Sequence, residues 1–435
     1  MQVRILRGAQ QIGGSCVEIE AQGARVVVDL GMPLDALDST DPLALLPALP
    51  GLRDPDPSLL GILLSHGHRD HWGLLPVSGD HVPVWMGEAT HRIMAASEGW
   101  VPGLKLPRDV RHMADQRTFA LGPFEITPYL TDHSAYDAYS LVIRADGQSI
   151  LYTGDLRAHG RKAKLFEAFV LHPPKDIDVM LMEGTTIGRP GADTGLPTES
   201  DIEFALAEQF RGTPGMVLLA CSAQNIDRMV SVFRACRRAR RTFLVDLYAA
   251  EILRATGNAN IPVVGPGWPE MALFTPQSQR VRVVREQAFD VLERNAHRRL
   301  FPEDLPTLAP HAVMLFRPFM LRDLERAKCL DGAAVIWSQW NGYLTQPANI
   351  ALRERLTRLG IPIRVVHTSG HASVPDLKRL ATAVAPRALV PIHTFRPQEY
   401  VGLFGNVTLM EDGKWWIVRA HGNSSAGLTT ISWPS

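Results

Sequence analysis

Apolar residues in the first part of the chain come in short runs bounded by Gly, Pro or Asp. Cys16-Val17-Glu18-Ile19-Glu20 and Arg25-Val26-Val27-Val28-Asp29-Leu30 read as two strands. The spacer between them, Ala21-Gln22-Gly23-Ala24, is short and contains glycine, which signals a hairpin. Leu59-Leu60-Gly61-Ile62-Leu63-Leu64 is apolar throughout, the pattern of a strand buried on both faces. Further strands are expected at Val82 to Met86, Phe124 to Leu130, Tyr139 to Arg144 and Ser149 to Thr153, with a helix over Glu88 to Gly99. This is a strand-rich α/β pattern and not a regular βαβ repeat.

The rhythm changes after Gly188 to Thr198, a Gly/Pro-containing stretch that reads as a linker or crossover. Beyond it, a helix over Glu199 to Phe210 precedes a strand over Gly215 to Cys221. Ile226, Met229, Val230 and Phe233 then recur at helical spacing. Thr242 to Leu247 (strand), Ala249 to Ala255 (helix), Val313 to Phe316 and Ala333 to Ser338 (strands) continue an alternation that points to a parallel α/β unit. From Ile361 the chain returns to short strands. The expected organisation is therefore a first domain over 1–199, an inserted domain over 200–347 and completion of the first domain by 348–435.

Composition changes this picture little. With 46% hydrophobic and 21% charged residues, the 435-residue chain can bury sizeable cores and is not a disordered polymer. Lys+Arg and Asp+Glu balance at 45 each, so net charge offers no argument for a nucleic-acid partner. Cys16, Cys221, Cys236 and Cys329 form no C-x-x-C pair and read as free thiols of a reducing compartment. The start lacks the apolar core of a signal peptide, and no apolar stretch approaches the roughly 18 residues of a spanning helix. A soluble, cytoplasmic protein without membrane contact is the expectation.

The chemistry lies at the ends of the apolar runs. After the run 59–64 comes Ser65-His66-Gly67-His68-Arg69-Asp70-His71, three imidazoles and one carboxylate within six residues. Neutral imidazole nitrogen and carboxylate oxygen are the donors that Zn²⁺ and similar borderline metals prefer. The set exceeds what one catalytic metal with an open position needs, which suggests two metals side by side. Four other runs end similarly, in Asp132-His133-Ser134, Gly154-Asp155, His367-Thr368-Ser369-Gly370-His371 and His393-Thr394. Taken singly each has an ordinary explanation: Asp155 as a turn former, His133 and His393 as satisfied polar residues. Their joint occurrence is what carries weight.

In this order the motifs resemble those of the metallo-β-lactamase fold superfamily, specifically its β-CASP nuclease branch, which includes ribonuclease J-like enzymes and cleavage-factor endonucleases. His66, His68, Asp70 and His71 match the signature run, His133 the next ligand motif, and Asp155 in Tyr-Thr-Gly-Asp-Leu-Arg the bridging aspartate. Glu183 in Leu-Met-Glu-Gly-Thr-Thr resembles motif A of the branch, His371 in Ser-Gly-His-Ala motif B, and His393 in Pro-Ile-His-Thr motif C. The resemblance implies an αββα sandwich with an inserted α/β domain. It implies one Zn²⁺ on His66, His68 and His133, and a second on Asp70, His71 and His393, with Asp155 shared; Mn²⁺ is the alternative metal. It implies hydrolysis of RNA, and by extension single-stranded DNA, by a metal-bridging hydroxide in a cleft between the two domains. Exonuclease and endonuclease action both remain open.

On the same basis Asp70, His371 and Glu183 are expected to be catalytic, His371 as donor to a phosphate oxygen or leaving group and Glu183 by fixing an imidazole. Asp29 is either a support for the metal loop or a turn residue. Ser369, His371, Asn225 and Arg228 are candidates for binding substrate phosphate; the last two open the helix that follows Ser222-Ala223-Gln224. Arg234, Arg237, Arg238, Arg240 and Arg241 farther along that helix are either a nucleic-acid path or a solvated basic face. Trp337 to Leu344 resembles the segment that leaves the inserted domain, but its Trp-Ser-Gln-Trp-Asn-Gly shares only Ser-Gln with the Gly-Ser-Gln-Gly-Glu-Pro type segment. The partner is RNA or single-stranded nucleic acid, with homodimerisation open. Two other classes stay in view: a metallo-hydrolase of small esters or cyclic nucleotides, and a non-catalytic RNA-binding protein.

Overall fold

The computed structural model describes residues 1–37, 39–419 and 428–430. Two units are formed, one by Met1–Leu196 with Gly370–Ser435 and the other by Pro197–Ser369.

The first unit contains two sheets. The larger runs, in spatial order, Leu428–Thr430, Trp416–Val418, Gln2–Arg7, Cys16–Ala21, Ala24–Val28, Leu59–Leu63, Val84–Gly87 and Val110–Met113. Its pairing is antiparallel as far as Ala24–Val28 and parallel beyond. The smaller runs Ala388–Ile392, Val179–Glu183, Gln148–Tyr152, Ala138–Ala145, Phe124–Thr131 and Phe119–Leu121. Alternate residues explain the layers. Val17, Ile19, Val26, Val28 and Leu63 from one sheet pack with Ile126, Leu141, Ile143, Ile150, Val179, Leu181 and Val390 from the other. The intervening positions face outward: Val27, Ile62 and Val84 pack with Trp72, Leu75 and Met94, and Leu151, Met180, Met182 and Leu389 with Phe166, Leu377 and Leu380. Helices Glu88–Ser97, Ala163–Leu171 and Val374–Val384 supply Met94, Phe166, Leu377 and Leu380 to these outer cores. The result is a four-layer αββα sandwich, and it accounts for the continuous apolar runs, since strands covered on both faces need apolar residues at every position.

The second unit is built on one wholly parallel sheet, ordered Arg299–Leu300, Met271–Phe274, Thr242–Val245, Ala312–Leu315, Val217–Ala220, Ala334–Trp337 and Ile363–Val365. It opens with the helix Glu199–Arg211, whose Thr198 and Asp201 form a capping box. The exit expected at residue 347 lies instead at Ser369. The reason is the edge strand Ile363–Val365, which pairs with Ala334–Trp337 and so keeps the helix Pro347–Arg358 with the second unit. No helix among the described residues is long and apolar enough to cross a membrane.

Candidate metal centre

Six strands of the first unit deliver polar residues at their C-terminal ends. Asp29 follows Ala24–Val28, and the His66 to His71 segment follows Leu59–Leu63. His133 follows Phe124–Thr131, Asp155 follows Gln148–Tyr152, Glu183 ends Val179–Glu183, and His393 follows Ala388–Ile392. Five of them have a parallel neighbour among the six, and Phe124–Thr131 runs the same way as Gln148–Tyr152 across the antiparallel Ala138–Ala145, so residues far apart in sequence meet at the strand ends. Gly31 permits the tightest approach: a Cβ on it would lie 1.8 Å from the Asp70 carbonyl oxygen.

Two donor sets result. In the first, His66 Nε2 and His133 Nε2 lie 3.2 and 3.1 Å from His68 Nδ1. In the second, Asp70 Oδ2 lies 3.3 Å from His393 Nε2 and 4.0 Å from His71 Nε2. Asp155 is common to both, with Oδ2 at 3.7 Å from His66 Nε2 and 3.2 Å from His71 Nε2. One ligand atom from each member of a set lies within 4.8 Å of the others. Glu183 and His371 extend the cluster: His371 Nδ1 is 3.2 Å from both Glu183 carboxylate oxygens and 3.7 Å from Asp155 Oδ2.

The surrounding hydrogen bonds determine which ring nitrogens carry protons, assigned here from the network. Asp29 is fully buried and accepts from the Ser65 amide (2.7 Å), Ser65 Oγ (2.8 Å) and Tyr152 Oη (2.7 Å). His71 Nδ1 lies 2.7 Å from the same carboxylate and therefore donates to it, so that Nε2 is the nitrogen turned toward Asp155. Ser65 spends its proton on Asp29, so at 3.0 Å it accepts from His66 Nδ1, which again frees Nε2. Glu183 accepts from the Leu156 and Thr185 amides, which fixes the carboxylate that faces His371.

Electrostatics separate the imidazoles. Burial first, and then neighbouring histidines, hold His66 and His133 well below the usual imidazole range. Burial is also the main cause that brings His68 down to about 4. These rings are neutral at pH 7, as metal ligands must be. For His71 burial pulls down, but Asp155 and then Asp29 outweigh it and raise the ring. His371 is likewise raised, Glu183 and Asp155 together overcoming burial. Asp155 and Asp70 are held below the usual carboxylate range: burial opposes this, and it is outweighed for Asp155 by His393 and His71 and for Asp70 by the His393 hydrogen bond and His71.

The donor set fits divalent metal. Zn–N bonds of about 2.0–2.1 Å in a tetrahedron place nitrogens about 3.3 Å apart, close to the spacing found here. His71 Nε2, His133 Nδ1 and Asp155 Oδ1 are buried without a hydrogen-bond partner. Buried polar atoms are rarely left so, and a cation at Asp155 would compensate that carboxylate. Asp155 Oδ2 already sits where both donor sets reach it.

The substrate-binding candidates have a different standing. Gly370 is explained by packing, because a Cβ there would lie 2.6 Å from Ser134 Oγ. Ser369, Asn225 and Arg228 belong to the second unit. Asn225 caps the helix Ile226–Ala239 by accepting from the Arg228 amide at 3.0 Å. The phosphate-binding role expected of Arg228 is not borne by its surroundings: it is fully buried and paired with Glu199 through Nε and Nη2 at 3.1 and 2.9 Å. Its Nη1 donates to the carbonyl and hydroxyl of Ser338 at 2.9 and 2.6 Å. Four of the five distal arginines also have local partners. Arg234 and Arg238 pair with Glu203, Arg237 with Glu270, and Arg241 is buried against backbone carbonyls. Ser65, Tyr152 and Thr185 were not singled out by sequence; their only signal is position beside a ligand-bearing strand end.

Residues 33–208 match the model of the β-lactamase superfamily domain, a span that holds His66 to His71, His133, Asp155 and Glu183. Ribonuclease J of Mycobacterium tuberculosis (strain CDC 1551 / Oshkosh) is 24% identical over 418 residues, covering 90% of this chain and 68% of the relative. Ribonuclease J of Helicobacter pylori (strain ATCC 700392 / 26695) is 23% identical over 442 residues, covering 94% of this chain and 59% of the relative. In fold, the chain is similar to a protein of unknown function from Enterococcus faecalis V583, with a TM-score of 0.73, 21% identity, and 95% and 99% of the two chains covered. Sandwich, donor sets and matches together define a metallo-β-lactamase fold protein. The ribonuclease J relatives, at 23–24% identity over most of the chain, support the β-CASP nuclease branch of that superfamily.

Proposed function

We propose that the chain is a metal-dependent ribonuclease that hydrolyses RNA phosphodiester bonds, with single-stranded DNA as the further candidate substrate. The observation that carries this reading is the pair of donor sets sharing the buried Asp155, in a chain whose curated relatives are named Ribonuclease J. His66, His68 and His133 would hold one divalent ion, and Asp70, His71 and His393 the second, with Asp155 between them. Zn²⁺ is the first candidate because imidazole dominates the set, and Mn²⁺ the second. Bound there, the metals supply an acidified water and offset charge on the phosphoryl oxygens.

The chain's own residues do the rest. Asp29 and Ser65 orient His71 and His66 through their Nδ1 protons. Glu183 grips His371 Nδ1 and favours the protonated ring, which can offer its Nε2 proton to a phosphate oxygen or to the departing ribose oxygen. Glu183 thus acts by positioning, and His371 by touching substrate. Ser369 and the Asn225 amide remain candidates for substrate contact, in a chain expected to work in the cytoplasm.

Cleavage of end-labelled single-stranded RNA carrying a 5′-triphosphate, 5′-monophosphate or 5′-hydroxyl tests this directly. Metal-dependent shortening of the RNA is expected, and product sizes distinguish exonuclease from endonuclease action. Inert RNA alongside hydrolysis of a small ester or cyclic nucleotide would assign the site to the other hydrolase class.

A further inference from the structure

We propose that Thr185 is the positioning residue of His393: its hydroxyl holds that imidazole in the Nδ1–H form and aims the Nε2 lone pair at the Asp70–His71 donor set. The inference rests on the two-metal reading of the site.

The strand register places the residue. Val179–Glu183 and Ala388–Ile392 pair in parallel with Glu183 opposite Ile392, so the residues just beyond both strand ends emerge together. Thr185 Oγ1 lies 2.8 Å from His393 Nδ1 and is within hydrogen-bond reach, at 3.3 Å, of the His393 carbonyl oxygen. A threonine hydroxyl has one proton and can also accept. Donating to the carbonyl, it accepts from Nδ1–H and leaves Nε2 bare. Donating to Nδ1, it forces the proton onto Nε2, which then points at Asp70 Oδ2, 3.3 Å away. Only the first arrangement leaves Nε2 able to bind metal. Asp155 Oδ1 is 3.6 Å from Nδ1, too long to compete for that proton.

The backbone shows the same constraint. His393 has φ of +54°, an uncommon conformation for a residue with a side chain. It is pinned by its amide donating to the Gly8 carbonyl at 2.8 Å and by Thr185 at its own carbonyl. Thr185 is buried, and its amide is anchored on Glu183 Oε2 at 3.1 Å. One short segment therefore sets two imidazoles, His371 through Glu183 and His393 through Thr185.

The experiment is a Co²⁺ titration of the metal-depleted chain, read by ligand-field absorption and by competition with a chelator. Wild type, Thr185→Val and Thr185→Ser are compared. Valine keeps the shape and removes the hydroxyl. It is expected to weaken one of two metal equivalents by about 10–100-fold and to spare the other; serine restores both. Two wild-type-like equivalents in Thr185→Val overturn the proposal. The imidazole ¹⁵N spectrum of the Zn²⁺-loaded wild type needs no variant to fold: a protonated His393 Nδ1 is expected, and a bare Nδ1 overturns the proposal. A folded wild type that takes up no Co²⁺ fails earlier, at the two-metal reading itself, and takes this inference with it.

Discussion

The His66–His133 cluster of the first unit and the Arg228 network of the second are both buried and polar, and they are built on opposite principles. Arg228 is surrounded by complements: Glu199 opposes its charge, Ser338 takes its remaining donors, and Ser231 also donates to Glu199. Around His68 like faces like. Three imidazoles turn ring nitrogens toward one point, two carboxylates stand beside them, and buried atoms of His71 and Asp155 go without hydrogen bonds. A satisfied polar network specifies a fold, whereas an unsatisfied convergent one calls for a cation. Burial and charge alone do not separate the two cases; unmet hydrogen bonds do.

Removing a buried member of the donor sets should break the first cluster most severely. Asp155→Ala or His71→Ala is expected to lower RNA hydrolysis by at least about 10³-fold, equivalent to about 4 kcal/mol of barrier, with near-native circular dichroism. Wild-type turnover in both variants would dissolve the proposed centre.

The second network should respond in stability and not in chemistry. Arg228→Ala leaves Glu199 buried without its counter-charge, and about 3–5 kcal/mol should be lost in denaturant unfolding. Metal content should not change. A variant as stable as wild type that binds RNA weakly would return Arg228 to the phosphate-contacting role its position in the sequence suggested.

An intermediate effect belongs to His371, which lies at the rim with its side chain 20% exposed. His371→Ala should slow cleavage by about 10²-fold, as expected for loss of a general acid, with both metals retained. Loss of metal in step with rate would make it a ligand instead. The smallest effect is expected at Arg238, whose half-exposed guanidinium pairs with the buried Glu203 that Arg234 also approaches. Because Arg234 stays beside that carboxylate, Arg238→Ala should cost only about 1 kcal/mol and leave RNA affinity at wild-type strength. A marked loss of affinity would restore the basic helix face as a nucleic-acid path.

Much of the fold and the site could be read from the chain alone, for a physical reason. Strands covered on both faces write themselves as apolar runs, and metal donors at their ends interrupt those runs abruptly, as at Leu64-Ser65-His66. What could not be read depends on pairing across distance. Ile363–Val365 is a short, partly exposed edge strand containing Arg364, with little apolar signal to show that it borders the sheet of the second unit. Arg228 looks like a phosphate ligand because it follows a strand and opens a helix. Only the packing of its helix against Glu199–Arg211 reveals the carboxylate that claims it. Thr185 is silent in sequence because its partner lies 208 residues away and meets it only through strand register.

Metal analysis of the purified, folded chain beside its Asp155→Ala variant tests the central claim most directly. About two divalent ions per wild-type chain are predicted, with RNA hydrolysis lost on chelation and restored by Zn²⁺ or Mn²⁺, and a clear loss of metal in the variant. A folded wild type that cleaves RNA without metal, or a variant that keeps its full complement, would contradict it.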